Sequence, residues 1–349
     1  MAELAFENVT FTYPGASEPV IENMSFAIAD GEAHALLGAS GAGKTTLLSL
    51  MSGLLRPTAG RILKNGEDVT AQDGFARGVA QVFQFPVVYE GLSVGENMRV
   101  PMRSIGMPEQ AQHERVAWLA DELGLQAVLH RKPRTLSLFQ KQLLAVGKAL
   151  ARTDVSVVLL DEPLTAVEPH IKWRLRQTLR KAQADAGVTM VYVTHDQTEA
   201  LTFADRVSLL TANGLEQTGT PRELYEAPVN EYVAHFVGSP GMNILPDEAA
   251  SFAPELAADR VGFRPEWAHI VDQPAHVAAR VTRLKPRGTR HGADWGEIYL
   301  ATDAGHEFVI DGNINLAVGS QVNVRLDRWV TFKDGAMVQP GGEVNPDGL

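Results

Sequence analysis

Residues 38–46 read Gly-Ala-Ser-Gly-Ala-Gly-Lys-Thr-Thr, the GxxxxGK[ST] spacing that holds a chain of phosphates. Gly38, Gly41 and Gly43 let the backbone curl, so that amide hydrogens of the run, through Ser40, Ala42 and Thr46, face an anion. A helix starting here aims its positive end at the same charge. Lys44 supplies a cation for the β- and γ-phosphates, and Thr45 a hydroxyl for magnesium. ATP and Mg2+ are therefore the expected ligands. A second chemical cluster follows the apolar run Val157–Leu160: Asp161 and Glu162, adjacent carboxylates. Neighbouring residues at a strand end point to different sides. Asp161 is expected to hold the metal, and Glu162 to polarise the water that attacks the γ-phosphate. His195 follows another apolar run, Met190–Val193, where it would reach the γ-phosphate and keep the water and Glu162 in register. Gln84, after Val82-Phe83, reads equally as a contact for magnesium and that water or as a polar residue of an aromatic loop. Tyr13, in Phe-Thr-Tyr-Pro-Gly, is expected to stack its ring on the adenine.

These residues need a scaffold. Apolar runs ending in reactive side chains are what a buried parallel sheet produces, with ligands at the carboxyl ends of its strands. Ala33–Leu37 before the phosphate loop and Leu47–Leu55 after it read as strand and helix. Residues 4–29 read as two or three strands broken by Tyr-Pro-Gly, and 60–83 as short strands and turns. Residues of about 87–157 carry helical spacing, as in Val116, Leu119 and Leu123, with Gly124 as a stop. From about residue 236 the pattern changes to short alternating strands, among them Ala279–Thr282, Glu297–Ala301, Glu307–Ile310 and Gln321–Leu326, which suggests a small barrel or sandwich. The fold class expected is α/β: a RecA-like P-loop NTPase core with a helical subdomain, followed by an all-β, barrel-like accessory domain. The expected domains are 1–235 and 236–349. The last ten residues, rich in glycine, proline and acid, are expected to be loose.

Composition narrows the function. The 349 residues include 45% hydrophobic ones, no cysteine, and a net charge of −11. Two domains with a sizeable core are within reach. Zinc ribbons, thiol catalysis and disulfides are excluded. The acidic balance argues against a protein built to bind a nucleic acid backbone. The amino terminus has neither the basic start nor the apolar segment of a signal peptide, and no run approaches the ~18 apolar residues of a membrane span. A cytosolic chain, held at a membrane only through partners, is expected.

Taken together and in this order, Tyr13, residues 38–46, Gln84, the segment 136–142, Asp161-Glu162 and His195 resemble the ATP-binding-cassette ATPases. The resemblance covers essentially the whole chain. Gly-Thr-Pro-Arg-Glu-Leu-Tyr-Glu-Ala-Pro within 206–241 is similar to the end of the cassette in sugar-type importers. Val-Gly-Phe-Arg-Pro-Glu at 261–266 is similar to the entry of their oligonucleotide-fold-like accessory domain. The segments 81–89, 169–173 and 194–205 resemble one of the two different ATPases of glycerol-type importers. The resemblance implies an ATPase on the cytoplasmic face of the cell membrane. It would drive uptake of glycerol or a related polyol or sugar through two membrane permeases fed by a periplasmic or surface solute-binding protein. It also implies that Ser137 and Gln140 act in trans, on nucleotide held by another cassette.

Two departures from the family pattern bear on that last point. The family signature Leu-Ser-Gly-Gly-Gln stands here as Leu136-Ser137-Leu138-Phe139-Gln140. Side chains then occupy positions where backbone must come close. Glu168 stands where the family usually has aspartate. Both departures lead to the expectation that a second, different ATPase with an intact signature completes the site. The rival reading is a soluble cassette acting on nucleic acid or ribosomes; the basic stretch Arg283–Arg290 is its best support.

Overall fold

The computed structural model describes residues 3–165, 167–246, 259–272 and 275–339. The expected loose end at 340–349 lies outside them. The chain divides into two compact units, residues 1–221 and 222–349. This boundary falls before the expected 235/236.

The first unit opens with β1 (Leu4–Phe11) and β2 (Ile21–Ile28), an antiparallel pair, followed by β3 (Ala33–Gly38) and α1 (Lys44–Met51). Next come β4 (Ala59–Lys64), β5 (Glu67–Asp68) and β6 (Val79–Val82). Three helices build the helical part: α2 (Val94–Ser104), α3 (Glu109–Glu122) and α4 (Leu138–Ala149). The chain returns through β7 (Val157–Asp161), α5 (Pro169–Ala186), β8 (Thr189–Thr194) and α6 (Gln197–Phe203), and ends with β9 (Arg206–Thr211) and β10 (Gly214–Gly219).

The central sheet runs β10-β9-β3-β8-β7-β6, parallel except for the edge strand β10. Its strands alternate between two cores, as period two requires. Val157 and Leu159 of β7, with Val191 and Val193 of β8, pack with α1 residues Leu47, Leu48, Leu50 and Met51 and with the β1–β2 sheet. Val158, Leu160, Met190 and Tyr192 face the other way, into the core shared with α2, α3, α4 and α5. Burial on both faces explains why these strands read as unbroken apolar runs.

The far end of α1 is held by Arg77, which is 1% exposed. Its Nη1 donates to the carbonyls of Leu50 and Met51 at 2.6 and 3.0 Å, its Nε to Gln72 and its Nη2 to Thr70, each at 3.0 Å. The last carbonyls of the helix, which lack partners within it, are thereby satisfied.

The second unit starts with the short helices α7 (Pro221–Glu226) and α8 (Glu231–Phe236). It continues as β11 (Asn243–Pro246), β12 (Arg260–Phe263), β13 (Ala268–Val271), β14 (Val277–Arg290), β15 (Ala293–Ala301), β16 (Glu307–Asn313), β17 (Gln321–Leu326), β18 (Val330–Lys333) and β19 (Ala336–Gln339). Two sheets result, β11-β12-β18-β19 and β13-β17-β14-β15-β16. They share a core of Leu245, Val261 and Phe263 from the first and Val281, Ile298, Leu300, Ile310 and Val324 from the second. Asn243 stitches them: its side chain donates to the Val309 carbonyl at 2.7 Å and accepts from the Val309 amide at 2.9 Å.

Arg264 shows why α7 and α8 group with the strands. It is 0% exposed and donates to the carbonyls of Tyr225, Ala234 and Val237, with its guanidinium 4.0 Å from the Tyr225 ring centre. Burial pulls its pKa down to about 10, yet it stays charged at neutral pH. A buried cation with those carbonyl partners locks the helices to β12, and nothing in the linear pattern announces it.

Candidate nucleotide site

Sheet order places the chemical residues side by side. β3, β8, β7 and β6 are consecutive neighbours, with Leu37 level with Thr194, Asp161 with Val193, and Val82 with Leu160. The phosphate loop, His195, Asp161-Glu162 and Gln84 therefore leave the same edge, from strands about 5 Å apart.

The phosphate loop is shaped by its glycines. A Cβ at Gly38 would lie 2.3 Å from the Leu210 carbonyl oxygen of neighbouring β9. Gly43 is the N-cap of α1 at φ +79°, a left-handed conformation that side chains resist. No acidic residue occupies the first turn of α1, so no side chain of that turn offsets its positive end. Lys44 is buried and its Nζ donates to the carbonyls of Gly38 and Ala39, both at 2.8 Å. Burial lowers its pKa, while the nearby charges of Glu162 and Asp161 raise it. The ammonium is thus drawn into the loop, within the field of both carboxylates.

Glu162 is held from two sides. Its Oε2 accepts from the Thr165 hydroxyl at 2.9 Å and its Oε1 from His195 Nδ1 at 3.2 Å. Its backbone sits at φ +43°, a left-handed conformation costing a non-glycine residue roughly 1–2 kcal/mol. The amide of Glu162 donates to the Val193 carbonyl at 3.0 Å, which ties the turn after β7 to the end of β8. Burial pushes the Glu162 carboxyl up, but the hydrogen bonds from Thr165 and His195 and the charges of His195 and Lys44 outweigh it. The net shift is downward, so Glu162 is ionised at neutral pH. Asp161 moves the other way: burial and the Glu162 charge raise its pKa, and Lys44 opposes them. The two carboxylates are electrostatically distinct, as a division of labour requires.

Tyr13 follows β1 and is 42% exposed. Its hydroxyl lies 3.0 Å from the Thr46 hydroxyl on α1, and its ring meets Phe11 edge-on at 4.8 Å. The ring is thus anchored at one rim while much of it faces solvent. Gln84 lies past β6 on a half-buried turn. The sequence reading missed Thr165, whose only linear signal is a hydroxyl three residues after Glu162.

Ser137 caps α4. Its hydroxyl accepts from the Gln140 amide at 3.2 Å, and the Gln140 side chain accepts from the Ser137 amide at 3.1 Å. This capping box satisfies the helix end and commits the Gln140 side chain to its own chain. Leu138 stays exposed, but Phe139 packs against the helical core. Phe139 is half-buried there, whereas Leu138 leaves its side chain in solvent beside the capped start of α4.

Residues 21–165 match the family model described as ABC transporter. The sn-glycerol-3-phosphate import ATP-binding protein UgpC of Jannaschia sp. is 39% identical over 345 residues, covering 98% of this chain and 96% of the relative. UgpC of Chromohalobacter salexigens is 38% identical over 297 residues, covering 81% and 79%. Among solved structures, cbiO1 from Clostridium perfringens, part of the ABC transporter complex cbiONQ, aligns with a TM-score of 0.60 at 25% identity, covering 63% of this chain and 89% of that one. The ATP-binding cassette MJ0796, a dimer in a post-hydrolysis state with ADP and Pi, aligns with a TM-score of 0.55 at 27% identity, covering 63% and 99%. These relatives lend no support to a second, different ATPase, and that expectation is withdrawn.

Proposed function

The chain belongs to the ATP-binding proteins of ABC transporters and is an ATPase; from that premise we propose that it powers import of sn-glycerol-3-phosphate. The observation that carries the solute is the near-full-length similarity to proteins named for that import. This narrows the expected glycerol, polyol or sugar to a phosphorylated polyol. The partners are two permeases and a solute-binding protein, and the chain sits on the cytoplasmic face of the membrane through the permeases. Among the described residues no helix is long and apolar enough to cross a membrane.

Two copies of the chain close over ATP. The amides of residues 38–46 and Lys44 hold the phosphates, and Ser137 at the capped start of α4 faces the nucleotide of the other copy. Thr45, Gln84 and Asp161 offer a hydroxyl, an amide carbonyl and a carboxylate, a hard-oxygen set that suits Mg2+. The raised pKa of Asp161 fits this role, since a cation there would favour its charged form. Magnesium, when bound, would neutralise phosphate charge. Glu162 accepts a proton from the attacking water as a new P–O bond forms and the bond to the ADP oxygen breaks; His195 keeps Glu162 aimed. The helical part carries the motion to the permease. A groove of about 280 Å³ lined by Phe83, Val87, Pro101 and Lys148 lies beside Gln84, and Phe85 beyond it is 69% exposed. Lys148 braces this loop, donating to the Val87 carbonyl at 2.8 Å with its ammonium 4.3 Å from the Tyr89 ring centre.

The nucleic acid reading loses its support in the second unit. The cations of 283–290 face partners within the chain: Arg283 lies over Tyr299 at 3.8 Å and Arg290 over Trp295 at 5.0 Å, while Lys285 and Arg287 pair with buried Glu297.

The test is uptake. Deleting the gene should abolish ATP-dependent uptake of labelled sn-glycerol-3-phosphate and spare that of glycerol, with rescue by the intact gene. Undiminished uptake in the deletion strain overturns the solute. Tyr13 supplies a second check. Tyr13→Ala should weaken ATP binding by roughly five- to a hundred-fold, the range of one lost stacking contact, while Tyr13→Phe, which keeps the ring, should stay near wild type. Titration calorimetry reads both.

A further inference from the structure

Behind His195 lies a buried carboxylate that the mechanism above does not use. Glu199, on α6, is 3% exposed. Its Oε1 accepts from Lys172 Nζ at 2.8 Å. Its Oε2 accepts from the Tyr192 hydroxyl and the Thr194 hydroxyl, both at 2.9 Å. Burial, and then the Glu199 charge, hold the Tyr192 phenol well above its usual pKa, so it remains a donor. Packing alone does not call for such a group: desolvating a carboxylate costs several kcal/mol, and an apolar side chain of like size would fill the space at less cost.

The partners of Glu199 occupy two significant places. Thr194 is the last residue of β8, and its hydroxyl, fixed by Glu199, accepts from the Asp196 amide at 3.0 Å. His195 is the residue between them. Asp196 in turn caps α6, accepting from the amides of Thr198 and Glu199 at 2.8 and 3.2 Å. The turn presenting His195 is thus closed by hydrogen bonds that all lead back to Glu199. On the other side, Lys172 lies in the first turn of α5, and its own amide donates to the Glu168 carbonyl at 3.3 Å. Glu168 begins that helix at the end of the segment that leaves Glu162.

We propose that Glu199 is a positioning residue of the ATPase, fixing the Thr194–Asp196 turn that aims His195 and tying it through Lys172 to the start of α5. Movement of Glu168 and the start of α5 when two cassettes close then reaches His195 through one buried carboxylate. The inference rests on the ATPase reading of Glu162 and His195.

The test uses the purified full chain, with ATPase turnover at saturating Mg-ATP and ATP affinity measured separately. Glu199→Gln keeps the shape but offers a single acceptor oxygen and turns an amide donor towards one of its partners. Its kcat should fall about 10–100-fold with ATP Kd within about two-fold, as for loss of an outer-layer partner of a functional group. Combined with His195→Ala, it should add nothing to the loss caused by His195→Ala alone, because groups acting as a unit are non-additive. Thr194→Val, which removes only the hydroxyl, should reproduce the kcat loss and provides the answer if Glu199→Gln fails to fold. Wild-type kcat in both variants, losses that multiply with His195→Ala, or a fall in ATP affinity parallel to kcat each overturn the proposal. Glu162→Gln separates the two failures: if turnover persists there, the assignment of Glu162 and His195 to the chemistry is wrong and this inference falls with it.

Discussion

Replacing Glu162 with glutamine should lower ATP turnover by about 10²–10⁴-fold, the usual contribution of a general base, and leave ATP binding near wild type. The structure explains why the effect falls on the chemistry alone. The carboxylate makes no hydrogen bond to the phosphate loop; its partners are Thr165 and His195. Glutamine is isosteric and can still accept from Thr165, so the left-handed turn at this residue keeps its support. What disappears is the ability to take a proton from water. Single-turnover hydrolysis alongside equilibrium ATP binding separates the two. A variant that binds ATP and hydrolyses it at the wild-type rate would remove Glu162 from the role.

Lys44→Ala should weaken ATP binding and lower turnover together, by about 10²-fold or more in kcat/KM, the effect of removing one preorganised cation or donor from a charged phosphoryl site. Lys44 is drawn into the loop by the Gly38 and Ala39 carbonyls, so its ammonium is in place before ligand arrives and little entropy is lost on contact. The variant carries a second signature. Lys44 lowers the pKa of both Asp161 and Glu162. Without it both carboxyls hold their protons to higher pH. The acid limb of the residual pH–rate profile should therefore move upward in pH, not downward. ATP titration and a pH–rate profile on the same preparation check both parts; unchanged kcat/KM would show that the loop backbone alone carries the phosphates.

The placement of Asp161, Glu162 and His195 was legible because they lie at strand ends. Short apolar runs followed at once by Asp161-Glu162 or by His195 mark a parallel sheet buried on both faces, and the glycine-rich loop needs no tertiary information to be recognised. What was not legible depends on neighbours distant in sequence. The grip of Thr165 on Glu162 follows from a left-handed turn. The four-group cluster at Glu199 requires α5, β8 and α6 to meet. The packing of half-buried Phe139 against the helical core follows from the helix phase of α4. Arg283–Arg290 reads as a basic patch until the hairpin brings Tyr299, Trp295 and Glu297 beneath it. The early domain boundary belongs to the same class, since Arg264 takes α7 and α8 into the second unit through contacts no local pattern encodes.

Arg77 gives the phosphate helix a property its sequence does not suggest. The amino end of α1 is poised to meet an anion, and its carboxyl end already rests on a guanidinium. Negative charge at one pole and positive at the other both align with the helix dipole. Loading the loop thus completes an electrostatic circuit whose return contact is built in. Lysine at position 77 would preserve the charge and break the circuit's mooring, because a single ammonium cannot reach the four carbonyls that the planar fork spans.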